Sequence, residues 1–151
     1  MKKLFVALLL LLSFSPAINS MTLDEAIQYF TVETNRYGSN LEATMKRHDV
    51  KVDFSSGYDP LKKEFIMSLV YDKDFFKYLG GKEMKKAKNT TLEEWSVNYK
   101  TKPQFKEMVD KVKEINGVFK VVYSCDKGGK LQSKSYKITP DEIIKFQIKK
   151  K

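Results

Sequence analysis

The chain has 151 residues, 28 Lys and Arg against 19 Asp and Glu, and a formal net charge of +9. A single cysteine excludes an intramolecular disulfide, and one cysteine with one histidine excludes a zinc cluster of the usual His/Cys type. Only Arg36 and Arg47 are arginines, so the basic excess is made of lysine point charges rather than planar guanidinium forks, and specific nucleic-acid recognition is not expected.

Lys2 and Lys3 precede an unbroken apolar run, Leu4–Leu12, followed by Phe14, Pro16, Ala17 and Ser20. A charged start, a short apolar core and small residues read as a secretory signal peptide over residues 1–20. Cleavage is expected after Ser20, with Ala17 as the alternative. The run falls short of the roughly 20 apolar residues that span a bilayer, so no transmembrane segment is expected after cleavage. The expectation is a periplasmic or secreted protein, with residues 21–151 as one domain.

Thr22-Leu23-Asp24-Glu25 is a capping box, and Leu23, Ala26, Ile27 and Phe30 follow at helical spacing. Tyr37-Gly38-Ser39-Asn40 interrupts the pattern. Leu41 and Met45 resume it, giving either one kinked helix or two helices with a bend at Gly38. Val50, Val52 and Phe54 alternate with polar residues and predict a strand. Ser56-Gly57-Tyr58-Asp59-Pro60 has the composition of a loop. Phe65–Tyr71 is apolar on both faces and predicts an interior strand.

Asp72 is placed to cap a short helix carrying Phe75, Phe76 and Leu79, ended or bent by Gly80-Gly81. Lys82–Lys88 is a lysine-rich stretch, and the segment around Asn89 reads as a connector between halves. Thr91-Leu92-Glu93-Glu94 repeats the capping box and predicts a helix start. Pro103 marks another, with Thr101 as its cap. Phe105, Met108, Val109, Val112 and Ile115 form one amphipathic face, closed by Asn116-Gly117. Val118–Cys125 is a second interior strand, Asp126–Lys130 a turn, and Leu131–Ile138 a polar strand whose Lys134 and Lys137 suit a sheet edge. Thr139-Pro140-Asp141-Glu142 is a third capping box, and Ile143, Ile144 and Phe146 dock the last helix before a lysine tail.

At an offset of 69, seven residues recur: Thr22, Leu23, Glu25, Lys51, Val52, Ser55 and Asp72 match Thr91, Leu92, Glu94, Lys120, Val121, Ser124 and Asp141. The order of elements echoes as well, and two helix–hairpin–helix halves, 22–88 and 91–148, are open beside an ordinary non-repeating chain. The predicted fold is α+β: a four-stranded, mainly antiparallel sheet with packed helices, in spatial order 1-2-3-4.

No catalytic, metal or nucleotide motif emerges, and no cofactor is expected. His48 reads as a solvated loop residue, and Cys125 as a small buried hydrophobe at the end of an apolar alternation. The glycine pairs lack the spacing of phosphate loops. Most of the ten Phe, eight Tyr and one Trp fall on apolar stripes. Tyr58 departs from them as an expected loop-tip residue, and with Lys62, Lys63 and Asp53 forms the candidate ligand-binding set. Lys82, Lys85, Lys86 and Lys88 are candidates for an anionic surface.

The favoured function is a non-catalytic binding module for a protein or envelope component. A small hydrolase or transferase using Asp53 or Glu64 in a concave sheet is the first alternative. Electrostatic attachment to anionic lipid or polysaccharide, weakened by salt, is the second.

Overall fold

A computed structural model describes residues 20–72 and 80–147. The leader, the short helix expected after Asp72 and the lysine tail fall outside these residues. Helix α1, Leu23–Lys46, begins at the expected box: Glu25 N–H donates to Thr22 Oγ1 (3.2 Å) and Thr22 N–H to Glu25 Oε2 (2.7 Å). It runs unbroken through Gly38, which is buried where the helix crosses the first strand.

Strands β1 (Val52–Asp59) and β2 (Glu64–Tyr71) form an antiparallel hairpin. β1 continues through the stretch expected to be a loop, because Gly57 and Tyr58 pair with Ile66 and Phe65. The turn starts later, where Asp59 Oδ1 accepts the N–H groups of Leu61 (3.0 Å) and Lys62 (3.2 Å).

Helix α2 spans Gly81–Thr101 and absorbs both the expected connector and the second capping box. Thr91 is no cap. The helix is already two turns old there, and the Thr91 hydroxyl lies 3.1 Å from the Ala87 carbonyl and 2.9 Å from Tyr136 Oη. Lys102, not Thr101, separates α2 from α3 (Pro103–Glu114), with Pro103 at the first helical position. Asn116 takes the left-handed conformation (φ 55°) that ends α3. Gly117 is required for a different reason: a Cβ there would lie 2.9 Å from the Lys63 carbonyl oxygen.

β3 (Val118–Lys127) and β4 (Lys130–Ile138) are joined by Gly128 and Gly129, both at positive φ, as a two-residue turn requires. Helix α4 (Pro140–Lys145) starts at the third capping box, where Thr139 and Glu142 exchange hydrogen bonds.

The sheet order is β1-β2-β3-β4, antiparallel at both hairpins and parallel between β2 and β3. The two apolar strands are thus central and the lysine-bearing strand is an edge, as their compositions require. The fold is α+β, a mixed, mostly antiparallel sheet packed against four helices. β1 and β3 run in opposite directions, so the two hairpins are not related by a simple translation.

The helices pack on one face of the sheet. Phe65, Met67 and Leu69 of β2 and Phe119, Val121 and Cys125 of β3 meet Phe30 of α1, Leu92 of α2, and Phe105, Met108 and Val112 of α3. Phe30, Phe65 and Phe119 form a ring cluster with centroids 5.5–5.9 Å apart. Among the described residues no helix covers the other face, which carries Asp53 and Ser55 exposed and Ile66, Val70 and Val122 half-buried. No helix of the described residues is long and apolar enough to cross a membrane.

A candidate binding cleft between two helices

Helices α1 and α2 both lean on α3, and between them the helix-covered side of the sheet carries a cleft of about 80 Å³. Its walls follow from helical spacing. Phe30, Glu33, Thr34 and Tyr37 recur at three and four residues along one face of α1, and Thr91, Glu94, Trp95 and Asn98 do the same on α2. Met67 of β2 and Tyr123 of β3 come from the sheet, and Phe105 and Met108 from α3.

The rings are held from behind. Trp95 makes edge contacts with Phe119 (5.1 Å between centroids) and Phe105 (6.0 Å). Tyr123 stacks near Tyr71 (6.5 Å) and lies against Tyr136 (6.0 Å). The Tyr123 and Tyr136 hydroxyls are 3.4 Å apart, and the Thr91–Tyr136 bond ties this chain to α2. Thr34 is already satisfied, donating to the Phe30 carbonyl at 2.6 Å.

Burial shapes the phenols. Tyr71 is pushed up to about 12, first by burial and then by the neighbouring Tyr37 and Tyr136 hydroxyls. Tyr123 is raised further for the same first reason, reinforced by Tyr136. Tyr37 is 43% exposed over the whole residue. The burial it does have, and then the charge of Glu94, raise its phenol. All three are neutral hydroxyls at physiological pH. Glu33 pairs with Arg36 at 3.1 Å, and no basic side chain lines the cleft.

The residues nominated from sequence lie elsewhere. Tyr58 is not at a loop tip; its ring packs on Phe65, 4.8 Å between centroids, on the helix-covered face. Asp53 is on the opposite face, exposed, 3.7 Å from Lys51. Lys62 is exposed in the hairpin turn, 3.7 Å from Asp59. Lys63 stands at positive φ, and its carbonyl accepts the Val118 N–H at 3.0 Å. Asp53 and Tyr58 thus face opposite sides of the sheet, with Lys62 and Lys63 in the turn between the strands.

Lys82, Lys85 and Lys86 are exposed along the start of α2. Lys88 turns inward to Glu142 at 2.6 Å. Burial alone would push the Glu142 carboxyl up, but the Lys88 and Thr139 hydrogen bonds overturn that and hold it below its ordinary value. His48 is exposed in the turn after α1, and Cys125 is fully buried.

Glu64, the other carboxylate considered for catalysis, is 3% exposed, with Lys137 at 2.6 Å and Lys120 at 3.6 Å. The hydrogen bond from Lys137 outweighs desolvation and holds its carboxyl low. Among the described residues no three His, Cys, Asp or Glu side chains gather as a metal site.

Sequence reasoning missed the cleft because Trp95 and Tyr123 lie on stripes that read as core, and Tyr37 falls in the stretch that reads as a helix interruption. The signal available was the acidic and amide residues within those stripes: Glu33 beside Thr34, and Glu94 and Asn98 bracketing Trp95. No protein-family model, curated protein or solved structure matches this chain.

Proposed function

We infer that this is an exported, non-catalytic binding module whose working surface is the cleft between α1 and α2. One observation carries the reading: aromatic rings fixed by other rings form the apolar part of the cleft, while hydroxyls, an amide and carboxylates stand around them. That division, apolar area for affinity and a few placed polar groups for orientation, is the usual composition of a small-ligand site. Water occupies roughly 30 Å³ per molecule in the liquid, so the cleft suits one small group, either free or projecting from an envelope component or partner protein. The leader around Leu4–Leu12 supports a periplasmic or secreted location.

Trp95 is the one tryptophan in the chain and lines the cleft, so its emission reports occupancy. Titration of the chain from residue 21 with a four-carbon alcohol, carboxylate and ammonium ion should give a saturable emission change, and a rise in Tm, for at least one of them. Asn98→Phe, which places a ring at the half-buried position beside Trp95, should abolish the response. A chain that responds to none of the three is not a binding module of this kind.

A further inference from the structure

We propose that the cleft between α1 and α2 selects a small organic cation of the alkylammonium class. The inference rests on the binding reading above and adds to it the sign and chemistry of the ligand.

The first argument is charge. The chain has an excess of basic residues, 28 against 19 acidic, but the lining of the cleft does not share it. The cleft has two glutamates and no basic side chain among its lining residues. Arg36, 68% exposed, engages Glu33. Glu94 is exposed and has no ion pair among the described residues, and its charge is felt at the Tyr37 hydroxyl across the cleft. An anionic ligand would meet Glu94 without compensation. A cation would meet a carboxylate already in place.

The second argument is the walls. Trp95, Tyr37 and Tyr123 present ring systems to one small volume. The face of an aromatic ring is the negative end of its quadrupole, and tryptophan and tyrosine bind alkylammonium ions through it, more strongly where water is thinned. Phenols that stay neutral keep their rings and hydroxyl oxygens available without placing a second fixed anion in the site. A compact, weakly hydrated ammonium bearing methyl groups satisfies the aromatic walls and the carboxylate together. Among the described residues no third carboxylate, histidine or cysteine joins Glu33 and Glu94 to hold a bare metal ion, and an uncharged solute leaves Glu94 unused.

The third argument is preorganisation. Trp95 is braced by Phe105 and Phe119, and Tyr123 by Tyr71 and Tyr136. Little side-chain freedom is lost when a ligand enters, so the attraction appears as affinity.

The test compares choline with dimethylbutanol, which has the same shape with carbon replacing the charged nitrogen, by Trp95 emission and calorimetry on the chain from residue 21. Choline is expected to bind at least about tenfold more tightly than the alcohol, the scale of a partly desolvated cation–π contact with a carboxylate nearby. Glu94→Gln, at an exposed helix position where folding is checked by an unchanged Tm, should narrow that preference severalfold. Equal or tighter binding of the alcohol overturns the cation inference and leaves the binding reading standing. A saturable response to neither, together with silence from the panel above, overturns both.

Discussion

Gly38 is buried beneath β1, and a Cβ built there would lie 2.4 Å from Phe54 Cγ and 2.9 Å from Phe54 Cβ. The obstruction is the root of the phenylalanine rather than its tip, so it cannot swing away. Two effects compete in Gly38→Ala. Helix propensity favours alanine by about 1 kcal/mol. Overpacking against a fixed neighbour costs about 1–3 kcal/mol. Approaches of 2.4–2.9 Å place the cost in the upper part of that range, about 2–3 kcal/mol, so the second should win, and chemical denaturation of Gly38→Ala should show a net loss of about 1–2 kcal/mol. A stabilised variant would mean that α1 can lift from β1 at little cost. Glu64 poses the opposite problem, a carboxylate covered by its neighbours and held by Lys120 and Lys137. Glu64→Gln leaves those two ammonium groups without their shared counter-charge. Both lysines retain solvent access, so the loss is expected near about 1–3 kcal/mol, the range for a charged hydrogen bond, rather than that of a fully buried pair.

At the scale of elements, the same four-residue signal met two fates. Thr22 and Thr139 cap helices; Thr91 lies inside one. A capping box works only where the chain upstream is not already helical, and Lys82–Lys88, rich in lysine with Met84 and Ala87, is a good helix former that carries α2 straight through. Thr139→Ala should therefore cost about 1 kcal/mol. Thr91→Ala should stay within about 0.5 kcal/mol, its gain in propensity offsetting the lost Tyr136 bond. Equal effects in parallel melts would deny the distinction.

This is also where sequence was most and least informative. Strand identity, the central places of β2 and β3, the edge place of β4 and the burial of Cys125 were legible from alternation and charge alone. The continuity of α1 was not, because a glycine that permits close packing looks the same as one that ends a helix. The extent of β1 was not either: Ser56-Gly57-Tyr58 has the composition of a turn, and only pairing with Phe65–Met67 keeps it extended. The cleft depends on two helix faces meeting across a fold, which no local pattern encodes.

For the whole molecule, stability should fall at both ends of the pH scale, for traceable reasons. Glu64 is held below its ordinary value of 4.5, so its contribution is present above that pH and is lost as pH drops further, when the unfolded chain takes up the proton first. Glu64→Gln should be less stable at neutral pH and should show a shallower acid decline. Tyr71 is raised from 10 to about 12, so the fold prefers the neutral phenol. Its contribution is complete below pH 10 and is lost between about 10 and 12, as the unfolded chain ionises while the folded one does not. Tyr71→Phe should flatten that alkaline limb in thermal melts taken across this range. An unchanged limb would place the loss in other groups.

The parallel seam has a consequence in time as well as in space. Each hairpin closes locally, but Glu64 must find Val118, and Tyr71 must find Cys125, across the whole of α2 and α3. Loop-closure entropy is spent before any of those pairings repays it, which makes joining the two halves the slow event in folding. Glu33, Thr34, Tyr37 and Met67 of the cleft belong to one side of that seam, and Thr91, Trp95, Phe105 and Tyr123 to the other. The cleft therefore does not exist in any half-formed intermediate. A ligand bound there would recognise only chains that have finished folding, and would draw the population toward them.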